Sequence, residues 1–66
     1  MPDTACGYNR QPVGSNWTEA QKECEQARWD LYVETCNGCV SELCKLQAYI
    51  LYLNGRAECL ESPEQS

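Results

Sequence analysis

From Trp17 to Leu53 hydrophobic residues return every three or four positions, whereas residues 1–15 keep no period. Trp17, Ala20, Cys24, Ala27 and Leu31 follow at 3-4-3-4 spacing, which places them on one helical face. Asn16 with Glu19 three residues on has the form of a capping box. Good helix formers fill the gaps, and Glu25 and Arg28 make an oppositely charged i,i+3 pair. Asn37-Gly38 can supply the left-handed residue that ends a helix, so the pattern predicts a first helix over 17–36.

A second helix is predicted from Cys39 or Ser41 to Leu53, stopped by Asn54-Gly55. Cys39, Leu43, Leu46, Ile50 and Leu53 form one stripe on it, and Val40, Cys44, Gln47 and Leu51 form another beside it. An apolar arc that wide belongs to a helix contacted from more than one side. A short third helix is expected at Arg56–Leu60, then a polar, disordered tail at Glu61–Ser66. Residues 1–15 hold Pro2, Gly7, Pro12 and Gly14 and read as an irregular arm, able to cross a helix through Tyr8, Pro12 and Val13. Strand signals are absent. The fold class is all-α: one domain over 1–66, an antiparallel hairpin with a short third helix and a stapled N-terminal arm.

Cysteine changes this picture most. Cys6, Cys24, Cys36, Cys39, Cys44 and Cys59 stand in 66 residues, a density that marks a disulfide framework and an oxidising compartment. So small a chain buries only ~60% of its unfolded surface, and cross-links supply what its core cannot. Met1-Pro2-Asp3-Thr4 has neither region of a signal peptide, so the chain reads as a mature product, although a cytosolic origin would leave the same start. No segment reaches the ~20 apolar residues that span a bilayer. Ten acidic residues against five basic ones give a net charge of −5, which argues against nucleic acid or an anionic membrane as partner. It suits an extracellular protein, or one with a basic partner.

Pairing can be ranked by level along the hairpin. Cys24 lies too far from the turn to reach Cys44, since bridged Cα atoms stay within ~7 Å. Cys59 is its natural partner. Either Cys36 or Cys39 then pairs with Cys44, and the other takes Cys6.

Few residues point to reaction chemistry. Cys36-Asn37-Gly38-Cys39 has the C-x-x-C form, but Cys36 falls at a helix C-terminus, the wrong pole for an activated thiol. The two cysteines read instead as bridged to different partners across a turn. A four-thiolate zinc site from Cys24, Cys36, Cys39 and Cys44 lacks its second knuckle and needs a reducing compartment. With no histidine and no phosphate loop the chain is expected not to be an enzyme and to hold no metal or cofactor. Its carboxylates read as solvated helix surface. Asn16-Trp17-Thr18 is an N-glycosylation acceptor, but the first helix needs a start there, so Asn16 reads as its cap.

Aromatic residues suggest a contact surface. Trp29 points far from the Trp17–Leu31 stripe, shares its direction with Val33, and is flanked by Lys22 and Gln26. Either the arm covers it through Tyr8 or Val13, or it is an exposed interface anchor. Tyr49 and Tyr52, one turn apart on the least apolar side of the second helix, extend that candidate surface.

Asp3-Thr4-Ala5-Cys6-Gly7-Tyr8, Trp17 ahead of Cys24, the cluster Cys36-x2-Cys39-x4-Cys44 and the late Cys59 resemble the secreted mating pheromones of the ciliate Euplotes. The resemblance implies a disulfide-stapled three-helix bundle that binds a cell-surface receptor and self-associates through helix faces. It also implies the pairs Cys6–Cys59, Cys24–Cys39 and Cys36–Cys44, at odds with the ranking by level. The expected function is a water-borne signal with a receptor as partner and a homo-oligomer as a second form. A secreted toxin, effector or inhibitor on a similar scaffold is the alternative, and an intracellular zinc protein ranks below both.

Overall fold

The computed structural model describes residues 3–61. Two helices carry the fold, α1 (Glu19–Asn37) and α2 (Glu42–Glu61), preceded by two-residue strands β1 (Thr4–Ala5) and β2 (Tyr8–Asn9). The strands form an antiparallel hairpin in which Ala5 faces Tyr8. Cys6 and Gly7 turn it with φ of 55° and 88°, as a primed turn requires. The arm is therefore ordered where no strand was expected, because a ladder this short leaves no period to read.

Local chemistry shifts both helix starts from their simplest reading. Thr18, not Asn16, caps α1: its hydroxyl accepts from the Gln21 N–H at 3.1 Å, and the Gln21 side chain accepts from the Thr18 N–H at 2.8 Å. This reciprocal pair is the Thr-x-x-Gln box, two residues beyond the Asn16–Glu19 one. Ser41 Oγ accepts from the Cys44 N–H at 3.1 Å and caps α2. At its far end α1 closes on Gly38 with φ −91°, so no left-handed residue is used there.

α2 runs straight through Asn54-Gly55, and the expected third helix is its last turns. Gly55 is a point of close approach rather than a stop. It is buried against the stem of Arg28, where an added Cβ would stand 2.7 Å from Arg28 Cδ. Glu61 ends α2, and the rest of the expected tail lies outside the described residues.

All six cysteines are paired, as Cys6–Cys36, Cys24–Cys59 and Cys39–Cys44. The ranking by level is met, although Cys59 reaches Cys24 from an unbroken α2 rather than from a returning chain. The three pairs implied by the pheromone resemblance are not formed. Cys39–Cys44 spans only five positions at the turn. Replacing both by Ser should cost about 2 kcal/mol by loop entropy, read as a lower urea midpoint with helix content unchanged. Loss of the whole fold would show that this staple holds more than the turn.

The core is aromatic and lies on faces that the periodicity did not select. Glu25, Trp29, Tyr32 and Cys36 are the buried residues of α1, and Ala48, Tyr52, Gly55 and Cys59 those of α2. Leu31, by contrast, is 56% exposed. Trp29 packs on Tyr32 and Tyr52 with ring centroids 4.9 and 5.1 Å away. Large rings each bury roughly 150–250 Å², more than the Ala-Cys-Ala-Leu stripe offers, so they take the interior.

Candidate contact surface

The arm lies across the aromatic face and seals it. Tyr8 stacks on Tyr49 at 4.6 Å, and Cys6–Cys36 ties the hairpin to the end of α1. Three tyrosine hydroxyls then meet the arm's backbone. Tyr32 donates to the Ala5 carbonyl at 2.6 Å, and Tyr49 to the Asn9 carbonyl at 2.7 Å. The Tyr52 hydroxyl accepts from the Gln11 N–H at 3.1 Å. Val13 stays exposed, and Pro12 takes part through its carbonyl, which accepts from Arg56 at 2.6 Å.

Beneath the arm is an ion pair without a local signature in the sequence. Glu25 is fully buried; Arg10 Nε donates to both its oxygens at 3.2 Å, and the Tyr52 hydroxyl donates to Oε2 at 2.6 Å. Burial pushes the Glu25 carboxyl up, but the bonds from Arg10 and Tyr52 outweigh it and leave the group below its usual range. Burial and the Glu25 carboxylate raise the Tyr52 phenol to about 12. Arg28, expected to pair with Glu25, instead lies 3.7 Å from Glu58 of α2. Walled in by Arg10 and Tyr52, Glu25 is a structural carboxylate with no open side for a substrate.

The sequence-derived contact residues therefore do not make a surface. Trp29 and Tyr52 are core, and Val33 and Tyr49 are half-buried against it. Of the two readings of Trp29, the covered one holds. The arm reaches the cluster through Tyr8 rather than Val13.

The outer side of α2 stays open to solvent, as do Val40 before the helix and Leu51 on another of its sides. Leu43, Leu46, Ile50, Ala57 and Leu60 lie exposed on that outer side, turned away from the buried Ala48–Cys59 side, whereas Leu53 in the same row is half-buried and packs against the core cluster. Leu43 is 62% exposed, Leu46 39%, Ile50 45% and Leu60 42%. Glu42, Gln47, Asn54 and Glu61 edge this seam. A narrow a/d stripe on a solvent-facing helix is the form that a partner helix or groove covers. The sequence places Leu43, Leu46, Ile50 and Leu53 in one stripe with Cys39, and the width of the apolar arc implies contacts on more than one side of the helix. On the other side of α2, Leu31 and Leu51 flank a groove of about 270 Å³ floored by Ala48 and Gly55.

Charge narrows the partner. Each of the five basic residues is engaged: Arg10 with Glu25, Lys22 with Glu19, Arg28 with Glu58, Lys45 with Glu42, and Arg56 on the Pro12 carbonyl and the Trp17 ring. The excess charge around the seam is acidic. No helix among the described residues is long and apolar enough to cross a membrane, and none of their acidic or sulfur ligands gather in threes. No family model, curated protein or solved structure was found to match the chain.

Proposed function

We propose that the protein is a secreted, water-borne signalling molecule that binds a cell-surface receptor through the outer seam of α2. The observation that carries this reading is an exposed, regularly spaced apolar stripe on a scaffold whose aromatic face is already covered by the stapled arm. Rigid presentation of such a stripe limits the entropy lost on binding, which favours affinity from a small surface. Glu61 at the edge of the seam and a net charge of −5 suit a receptor with a basic border. The order of cysteines and aromatics keeps the pheromone-like character of the proposal, although the cystine pairs depart from that family's pattern.

The same 3-4 spacing fits α2 of a second copy, so self-association uses this face too. Toxin, effector and inhibitor activities would draw on the same surface. A response of the producing organism's own cells separates a messenger from these.

The double variant Leu46→Glu/Ile50→Glu tests the surface. It should keep its three cystines and its melting temperature, since exposed substitutions usually move stability by less than about 0.5 kcal/mol. Saturable binding to those cells should fall at least about tenfold, as expected when interface anchors are lost. Sedimentation should find the variant monomeric at all concentrations. Undiminished cell binding would remove the seam from the proposal.

A further inference from the structure

We infer that Asn16 is an N-glycosylation site, modified by a lipid-pyrophosphate-linked oligosaccharide before α1 closes. The inference rests on the secretory route proposed above, because that route brings the chain to the transferase. Asn16-Trp17-Thr18 satisfies the acceptor pattern, and the objection to it was that Asn16 had to cap the helix. That objection falls, since Thr18 is the N-cap and completes its box with Gln21. Asn16 is left without a capping role.

The geometry around it favours an outward glycan. Trp17 donates its N–H to the Gly14 carbonyl at 3.2 Å, closing a turn over Gly14–Trp17 with Asn16 exposed near its tip. Trp17, the middle residue of the acceptor, is half-buried with the Arg56 guanidinium 5.1 Å above its ring. It anchors the turn while its neighbour faces water. Gly14 leaves room for the Asn16 side chain, whose Oδ1 would lie 2.8 Å from a Cβ at that position.

The order of events follows from Thr18. Its hydroxyl serves acceptor recognition in the extended chain and the cap in the folded one, so it cannot do both together. Transfer therefore precedes capping. In the step, Asn16 Nδ2 bonds to the anomeric carbon of the oligosaccharide, and the bond from that carbon to the pyrophosphate oxygen breaks. The lipid pyrophosphate leaves with the electron pair, and the amide proton passes to a base of the transferase.

The test is expression behind a cleavable secretory leader in a eukaryotic host, with intact mass read on both medium and cell lysate. Wild type should carry a glycan that peptide-N-glycosidase F removes, leaving a carboxylate at position 16. Asn16→Gln should lose the glycan and keep the three cystines and the melting temperature. Thr18→Ser should keep both glycan and cap, whereas Thr18→Ala should lose the glycan and melt lower. Folded wild type with three cystines and no glycan overturns the inference and leaves the secretory reading standing. A glycosylated chain whose cysteines stay reduced does the reverse.

Discussion

Glu25→Ala is expected to unfold most of the protein at neutral pH. Removing one member of a buried ion pair costs about 3–5 kcal/mol, because the other is left uncompensated. Here the loss strands Arg10 under the arm and takes the acceptor from the Tyr52 hydroxyl. A domain this small has roughly 5 kcal/mol or less to lose. Urea unfolding of variant and wild type measures the difference. A midpoint shift worth under about 1 kcal/mol, the ordinary figure for an exposed pair, would show the carboxylate to be solvated.

The pH dependence follows from the same group. A carboxyl held below its unfolded value gives stability that is complete above the ordinary glutamate value, ~4.3, and lost as pH falls through the lower folded value. Glu25→Gln, if it folds, should flatten that acid limb. Tyr52 acts at the other end. Its phenol is raised, so its share is intact below the ordinary tyrosine value of ~10 and fades as pH rises above it. Phenolate absorbance should show it ionising only near pH 12 or with unfolding.

Trp29→Ala should be nearly as damaging, at about 3–5 kcal/mol for emptying a large aromatic site. Trp29 is fully buried between Tyr32 and Tyr52, so its loss removes the surface on which both tyrosines are levelled toward the arm. Melting temperature should drop sharply, while Trp29→Phe should lose less because a ring remains. Weakened partner binding with an unchanged melting curve would return Trp29 to the surface. The two substitutions probe one cluster, so their effects should not add.

How far the sequence leads depends on the range of each interaction. Two helices, their turn at Gly38 and the preference of Cys24 for Cys59 follow from spacing and caps, which act within a few residues. The capping box was read at Asn16–Glu19, whereas the backbone of the start places it at Thr18–Gln21. The α2 seam was visible as a stripe but not as a surface. Periodicity tells which side chains share a side of a helix, and nothing about what lies opposite.

Contacts across long stretches of chain decided the rest. Arg10 and Glu25 are fifteen positions apart, and Gln11 meets Tyr49 and Tyr52 from some forty positions away; neither leaves a pattern in the chain. By itself the sequence determined a cystine-stapled helical hairpin. The tertiary structure alone decided which sides were buried. Each helix carries apolar residues on more than one side, and the choice fell to the arm: its hairpin, Arg10 and Gln11 could satisfy the tyrosines and Glu25, whereas nothing polar was needed over the leucines.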